Sequence, residues 1–456
     1  MTGDSAPDAG VRRLSDDTLV VFLSDTHIGG TDGTEIFESA KELTALVMEI
    51  GQHVGPVELV LLGDFLDLQR MGQTGQVNDR VTATLTRPDY AELLDALRAF
   101  RSAAGHRVTY VVGNHDAELW WNLRLQDVLR DAGLVDEFAL SYAARFKSLG
   151  DQLIYGEHGN QFDPTNRVTD YSDPLDTPIG AHVVDEIVRP IGSGTRLTGN
   201  LDLRDVSFVF PLAAIPEWIA SRIFYRFLGE ALQWIFILVV IANVAHAFLI
   251  WLGSSDEQRD TTRAILGEVA YDIGILVLVF AVVFLAGRRT ARRAISLLAL
   301  RLTSASSGSE PTRIRGALLH DEPLPMAAGG VTPRNVAVFV SGHTHAPSSS
   351  RLLRDDETMT VIVNTGCWLR QLHPVKARFG APHVFVPMFV QTHVRVQRRE
   401  KGVVVELWDR PKSAPRTLPW IERIAIAGRM PKHAHSPTTP RLLDRQLIDS
   451  RTRAST

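Results

Sequence analysis

Short apolar runs alternate with longer amphipathic stretches over the first third of the chain. An apolar run at 19–23 is followed by a turn, a stretch of helical periodicity at 35–54 and a second apolar run at 57–62. The same order of strand and helix patterns returns as far as residue 155. Short strands alternating with helices are typical of a parallel sheet. The pattern therefore predicts an α/β fold.

Strand patterns resume near residue 335, after a long block of different composition. We therefore expect one domain in two parts, separated by an insertion. The predicted segments are a disordered N-terminus at 1–17, the first part of the domain at 18–169, a helical insertion at 170–334, the second part of the domain at 335–410 and a polar tail at 411–456.

The insertion contains two apolar runs. The first, 231–252, carries no charged residue, and at about 1.5 Å per residue it is long enough to cross a bilayer core of roughly 30 Å. The second, 265–287, reaches spanning length only when Glu268 and Asp272 are included. Arginines precede the first run and follow the second, so the positive-inside rule places both ends of this hairpin in the cytoplasm. The sequence predicts a protein at the cytoplasmic face of the cell membrane, with buried core helices or a lid over the site as the alternative.

Composition limits the classes of function. The chain has 456 residues, with 48 basic and 52 acidic side chains and a net charge of −4, so excess positive charge gives no argument for nucleic-acid binding. Hydrophobic residues make up 45% and charged residues 22%, which excludes a wholly disordered chain and a many-span transporter. Because Cys367 is the single cysteine, an intrachain disulfide and a cysteine zinc cluster are both excluded.

Each predicted strand of the domain ends in a cluster of polar residues. The clusters are Ser24–His27, Gly63–Asp67, Gly113–Asp116, Gly156–Asn160 and Gly342–His345. Residues that follow neighbouring strands of an α/β sheet converge on one crevice. Carboxylate, carboxamide and imidazole ligands suit divalent Mn, Fe, Zn or Ni. A single carboxylate such as Asp64 can bridge two cations about 3.5–4 Å apart, which is the arrangement used in phosphoryl displacement. The clusters predict a hydrolase with two metal ions.

In residue type and order, the five clusters resemble the calcineurin-like metallophosphoesterase superfamily. Its signature is Asp-x-His, Gly-Asp, Gly-Asn-His-Asp or Glu, a lone His and Gly-His-x-His. The resemblance implies a four-layer αββα sandwich and two divalent metal ions, with manganese as the first choice. The implied metal ligands are Asp25, His27 and His345 for one ion, Asn114, His158 and His343 for the other, and Asp64 between them.

The resemblance also implies two catalytic residues. His115 is expected to act as a general acid or to orient the phosphate, and Asp116 is expected to fix the orientation of the His115 ring. A hydroxide held by the metals would attack phosphorus in line with the leaving oxygen. Supporting roles near the pocket and ordinary surface or capping roles both stay open for Asp67, Glu157, Asp163, Asn166, Arg370, His373 and His393.

Two segments are similar to the UDP-2,3-diacylglucosamine pyrophosphatase-like branch of this superfamily, namely Gly63–Asp67 and His158–Asp163. Members of that branch cleave a diphosphate in a lipid-linked nucleotide at the membrane surface, although the insertion here is longer and more apolar than their helical lid. We therefore predict a membrane-associated phosphoesterase that hydrolyses a phosphodiester, phosphomonoester or diphosphate in a phosphorylated small-molecule, nucleotide or lipid-linked substrate.

Two alternative functions stay open. A metal-dependent nuclease is disfavoured because the catalytic segments lack a basic surface interleaved with aromatic residues. A non-catalytic scaffold is disfavoured because every ligand position of the signature is filled.

Overall fold

Two β-sheets and the helices that cover them form the domain. The computed structural model describes residues 10–30, 35–71, 75–147, 151–178, 204–253, 267, 271–272, 274–282, 284–289, 293, 310–355, 357–410, 412, 418–427, 429 and 439–449. The strands are β1 (Arg12–Leu14), β2 (Leu19–Leu23), β3 (Val57–Leu62), β4 (His106–Val111), β5 (Glu137–Ala139), β6 (Tyr142–Phe146), β7 (Leu153–Gly156), β8 (Val336–Ser341), β9 (Ser348–Leu353), β10 (Met359–Asn364), β11 (Trp368–Val375), β12 (Val384–Arg399), β13 (Gly402–Asp409) and β14 (Arg441–Asp449). The helices are α1 (Ala40–Ile50), α2 (Val77–Leu85), α3 (Ala91–Ser102), α4 (Glu118–Trp121), α5 (Leu123–Asp131), α6 (Ile215–Gly253), α7 (Glu310–His320) and α8 (Trp420–Ala425).

Parallel pairing brings the ends of the central strands to one edge. The first sheet has the order β14-β13-β12-β2-β3-β4-β5, with β11 paired to β12. Strands β2, β3 and β4 are parallel in it, as are β7, β8 and β10 in the second sheet, which has the order β1-β6-β7-β8-β10-β9. The polar clusters that follow β2, β3, β4, β7 and β8 therefore lie close together.

Alternating side chains on the strands build the layers. On β2, Val20 and Phe22 are buried in the core between the sheets, whereas Val21 packs under the helices that cover the first sheet. On the far side, Ile314 of α7 packs against Phe339 of β8. Helices, sheet, sheet and helix follow in that order, and the predicted α/β class is confirmed.

The predicted disordered N-terminus and the predicted polar tail each contain a strand. In the N-terminal segment, β1 pairs with β6, and the guanidinium of Arg12 contacts the carboxylates of Glu58 and Glu137. In the polar tail, β14 pairs with β13, with one register shift between Leu407 and Trp408, and buries Ile448 in the core. The prediction of disorder is wrong for Arg12–Leu14. Both strands form by backbone pairing to an existing sheet edge, and amino-acid composition does not predict such pairing. Residues 1–9 and 450–456 lie outside the described residues.

The insertion has a buried base and an exposed apolar part. Near the start of α6, Trp218 is fully buried against β11 residues that include Leu369 and Leu372. Among the described residues, one helix is long and apolar enough to cross a membrane, Ile215–His246, and 6% of its apolar window is buried. It contains most of the predicted run 231–252. The second predicted run, 265–287, is described only in part, mainly as helical residues within 274–289.

Candidate metal centre

The predicted ligands lie on turns directly after the strands, and most of these turns have a strained backbone. Non-glycine residues with φ between +51° and +64° are found at Asp25, His27, Asp64, His343 and His345. The left-handed region costs a non-glycine residue roughly 1–2 kcal/mol, and residues held there cluster at functional sites. Backbone hydrogen bonds between turns hold this geometry, for example from His27 N to Asp64 O at 2.9 Å.

Glycines in the motifs leave room for ligands from neighbouring motifs. A Cβ atom on Gly113 would overlap Oδ1 of Asp64, and a Cβ atom on Gly342 would lie 2.6 Å from Oδ2 of Asp25. The motifs therefore need glycine because the carboxylates pack against the backbone of the next turn.

The first ligand group consists of Asp25, His27 and His345. Oδ1 of Asp25 lies 3.1 Å from Nε2 of His345 and 3.8 Å from Nε2 of His27, and the two Nε2 atoms are 3.3 Å apart. Nδ1 of His27 donates to the carboxylate of Asp67 at 3.0 Å, which leaves the lone pair on Nε2. Oδ1 of Asp25 is buried and has no hydrogen-bond partner. A buried oxygen and imidazole nitrogens that face one another fit a divalent cation.

The second ligand group is built around His158. Nδ1 of His158 donates to the carbonyl of Leu62 at 3.0 Å, so Nε2 is the ring nitrogen that faces the site. This Nε2 lies 3.1 Å from Oδ2 of Asp64 and 3.2 Å from Oδ1 of Asn114. Three atoms suited to metal coordination therefore converge at this point.

The ring of His343 lies beside the second group. Its Nε2 donates to Oδ2 of Asp163 at 3.1 Å, which leaves the lone pair on Nδ1, and its ring centroid lies 5.3 Å from that of His158. Asn166 donates to the same Asp163 oxygen at 2.7 Å. Burial raises the pKa of the Asp163 carboxyl, but the hydrogen bonds from His343 and Asn166 outweigh it and lower the pKa overall.

Asp64 lies between the two groups. Its Oδ2 is 3.9 Å from Nε2 of His27, in addition to the contact with His158, and its Oδ1 accepts from the backbone N of His115 at 2.8 Å. Burial raises the pKa of Asp64, but the rings of His158 and His115 outweigh it, so the pKa lies well below the usual value. The structure thus brings all seven predicted ligands together.

Asp67, rather than Asp116, holds the ring of His115. Nδ1 of His115 lies 3.2 Å from Oδ1 of Asp67. Asp116 instead accepts from Gly113 N at 2.6 Å and from the hydroxyl of Tyr110 at 2.6 Å. The predicted contact between Asp116 and the His115 ring is therefore wrong, because the Asp116 side chain turns back to tie down its own loop.

The same contacts shift two pKa values. Burial lowers the pKa of His115, but the carboxylates of Asp67 and Asp64 outweigh it and raise the pKa to about 9. Burial and the charge of Asp64 raise the pKa of Asp116 to about 7.

The remaining polar residues take different positions. Glu157 is buried and accepts from the hydroxyl of Tyr155 at 2.6 Å, and burial raises its pKa to about 7. Gln371 links His373 to His345. The Gln371 amide donates to the carbonyl of His345 at 2.9 Å, and its Oε1 lies 2.7 Å from Nε2 of His373.

Arg370 and His393 form buried contacts of their own. The guanidinium of Arg370 pairs with Asp205 of the insertion at 3.0 Å. His393 is fully buried, with its Nε2 3.0 Å from Nε of Arg395.

Comparison with known families identifies the domain. Residues 18–220 match the family model described as calcineurin-like phosphoesterase. The chain carries a calcineurin-like phosphoesterase domain. This domain, with the Asp and His groups described above, makes the protein a metal-dependent phosphoric ester hydrolase. No curated protein matches the chain.

The match covers only part of the metal centre. It includes the predicted ligands from Asp25 to His158, whereas His343 and His345 lie beyond its end. The structure brings these two histidines to the phosphoesterase site, since the backbone N of His343 donates to Oδ2 of Asp25 at 2.9 Å.

Proposed function

We propose that the protein is a membrane-anchored phosphoesterase that uses two divalent metal ions, with manganese as our first choice. It would hydrolyse a phosphodiester, phosphomonoester or diphosphate in a lipid-linked or nucleotide substrate at the cytoplasmic face of the membrane. The observation that carries the proposal is the convergence of two ligand groups on Asp64, whose Oδ2 lies 3.1 Å from His158 and 3.9 Å from His27.

The ligands divide into two sets around Asp64. Asp25, His27 and His345 would hold one ion, and Asn114, His158 and His343 the other. Divalent cations held there would neutralise charge on phosphoryl oxygens and lower the pKa of a water molecule. Two carboxylates outside the ligand set position histidines of the site. Asp67 binds Nδ1 of His27 and Asp163 binds Nε2 of His343, and in each ring this nitrogen faces away from the site.

His115 is placed to act on the substrate. Asp67 binds Nδ1 of its ring, and the ring of His27 lies edge-on at a centroid distance of 4.6 Å. This leaves Nε2 of His115 to donate a hydrogen bond to a phosphoryl oxygen or a proton to the leaving oxygen. Asp116 would support the site indirectly, by tying the loop that carries His115 to Tyr110.

The exposed surface of α6 supports a membrane anchor. Trp234, Leu238 and Val244 are 68%, 62% and 64% exposed. A soluble protein rarely exposes an apolar patch larger than a few hundred Å². A bilayer would cover this surface, and arginines at both ends of the hairpin favour the cytoplasmic side for the domain.

The base of the insertion also reaches the phosphoesterase site. Arg70 lies 3.0 Å from Asp67 through Nε, and its Nη1 donates to the hydroxyl of Ser207 at 3.2 Å. Ser207 of the insertion therefore contacts Arg70, which binds Asp67. Asp67 is the carboxylate that contacts the rings of His27 and His115. This proximity favours a substrate presented at the membrane surface.

Activity of the full-length protein in detergent tests the proposed chemistry. Wild type, His115→Ala and the exposed-histidine control His320→Ala would be assayed with Mn²⁺ on an aryl phosphodiester, an aryl phosphomonoester, a nucleotide-diphosphate lipid and single-stranded DNA. We expect Mn²⁺-dependent turnover that His115→Ala lowers by about 100-fold or more and His320→Ala leaves unchanged. Preference for DNA would favour the nuclease, and absence of turnover on every substrate would contradict the proposal.

Fractionation tests the membrane anchor. We expect untagged wild-type protein to stay in the membrane pellet after an alkaline carbonate wash and to be released by detergent. Recovery in the soluble fraction without detergent would show that the apolar hairpin covers the domain instead.

A further inference from the structure

Two surface segments that are remote in sequence from the hairpin meet at its base. Nη2 of Arg378 donates to the carbonyl of Ala427 at 2.8 Å, and Nη1 of Arg429 donates to the carbonyl of Lys376 at 3.1 Å. Beneath them, Ile426 is fully buried in a cluster that includes residues of α6. The loop after β11 and the helix α8 thus form one surface around α6.

This surface exposes large apolar side chains next to arginines. We call it the collar, and it consists of Arg378, Phe379, Trp420, Arg423, Ile424 and Arg429. Phe379, Trp420 and Ile424 are 81%, 51% and 61% exposed. Among the described residues, no carboxylate lies within ion-pair distance of the three collar arginines, and Glu422 of α8 is buried. The collar is therefore both apolar and positively charged.

The collar lies where α6 changes from polar to apolar. The last charged residues of α6, Arg226 and Glu230, pair with each other at 2.9 Å, and no charge follows them in the helix. Just beyond them, Trp420 lines an apolar cavity of about 510 Å³ together with Phe236 and other residues of both apolar runs. Directly after the returning run, Nη1 of Arg288 donates to the carbonyl of Phe379 at 3.4 Å. The collar thus lies beside both runs at their polar boundary.

We infer that the collar is a docking surface for anionic lipid headgroups. The inference rests on the proposed insertion of the hairpin, which would bring the collar to the membrane interface. Tryptophan is enriched at that depth, and basic side chains there are attracted to anionic lipids. Docking would hold the phosphoesterase domain against the bilayer at a fixed tilt, because the collar adds contacts beside the hairpin itself.

Fluorescent labels on the full-length protein in vesicles test the inference. The native Cys367 is fully buried, so an introduced cysteine can be labelled selectively. Ile424→Cys reports the collar, Val244→Cys the apolar part of α6, and Leu353→Cys an exposed position on β9 that is 68% exposed. Each label would be quenched with neutral acrylamide in vesicles of phosphatidylcholine alone and of phosphatidylcholine with phosphatidylglycerol.

We expect the label at 424 to be quenched about threefold less than the label at 353 in anionic vesicles, because it enters the interface. This protection should be lost in neutral vesicles and in the triple variant Arg378→Glu, Arg423→Glu, Arg429→Glu. A matched triple variant of arginines on α3, β4 and α5, Arg98→Glu, Arg107→Glu, Arg130→Glu, should retain it.

The label at 244 distinguishes two failures. One is that the collar does not dock on lipid, and the other is that the hairpin does not insert in the membrane. Protection at 244 together with equal quenching at 424 and 353 in anionic vesicles would overturn the collar while leaving the anchor intact. Equal protection at 424 in neutral and anionic vesicles would overturn the anionic preference. Full quenching at 244 would overturn the anchor and the collar with it.

Discussion

Oδ2 of Asp67 lies 3.0 Å from Nδ1 of His27, so this carboxylate fixes which nitrogen of a proposed metal ligand carries the proton. The other oxygen of Asp67 lies 3.2 Å from Nδ1 of His115. One buried carboxylate therefore sets the orientation of a proposed ligand and of the proposed acid. Burial raises the pKa of Asp67, but the charge of His115 and the hydrogen bonds from both histidines outweigh it, so Asp67 stays ionised.

Replacing Asp67 tests this double role. Asp67→Asn keeps the size of the side chain but removes its charge, and we expect Mn²⁺ affinity to fall by about 10–100-fold and turnover at saturating Mn²⁺ to fall as well. Titration calorimetry with Mn²⁺ and assays of an aryl phosphodiester would measure the two effects. The control is Asp89→Asn, whose side chain is 75% exposed. Wild-type affinity and turnover in Asp67→Asn would show that the contact is incidental.

Much of this site could be predicted from the sequence, because each motif carries its own ligand. Asp25 and His27, for example, follow the apolar run of β2 directly. The supporting carboxylates could not be assigned in the same way. His115 and Asp67 are 48 residues apart, and His343 and Asp163 are 180 apart, so only the fold shows that they touch. Proximity in sequence favoured Asp116, whose side chain turns away.

Some strands of the fold could also be predicted from the local sequence, whereas others depend on a distant partner strand. Strands β2 and β3 are buried and mostly apolar, and β4 is buried from Val108 to Val111, so the sequence pattern predicts them. Strand β14 has exposed leucines and charged residues, and it is held by pairing to β13. Such an edge strand depends on a partner that is fixed only in the folded protein.

Burial of His393 predicts a loss of stability at low pH. Burial and the charge of Arg395 keep its pKa well below 6.5, so the folded protein holds the ring neutral. The unfolded chain binds a proton below pH 6.5, and the free energy of unfolding should fall by about 1.4 kcal/mol for each pH unit below that value. Above pH 6.5 both states are neutral, and this contribution is constant.

Unfolding of the detergent-purified protein between pH 5 and pH 8 would measure the effect. His393→Gln should flatten the dependence below pH 6.5 relative to wild type, whereas the exposed control His320→Gln should not. His373, with its pKa lowered to about 4 by burial, supplies a second contribution that His393→Gln leaves in place. An unchanged slope in His393→Gln would contradict the assignment.

A buried ion pair joins the insertion to the domain. Arg370 and Asp205 are each 6% exposed and lie 3.0 Å apart, and the Arg370 guanidinium is 3.9 Å from the ring centroid of Phe208. Asp205→Leu would leave Arg370 buried without this partner, and we expect destabilisation of about 3 kcal/mol. The double variant Asp205→Leu, Arg370→Met should recover most of it. Melting temperatures in detergent measure both, and additive losses in the double variant would contradict the pairing.

Metal content tests the central claim most directly. Purified wild type and Asp64→Ala would be loaded with Mn²⁺, and bound metal would be measured by elemental analysis. The same samples would be assayed for hydrolysis of an aryl phosphodiester. We predict about two ions per chain in the wild type, and loss of bound metal together with loss of turnover in Asp64→Ala. Wild-type turnover by Asp64→Ala, or by protein freed of metal, would contradict the assignment of Asp64 as the ligand that joins two metal ions.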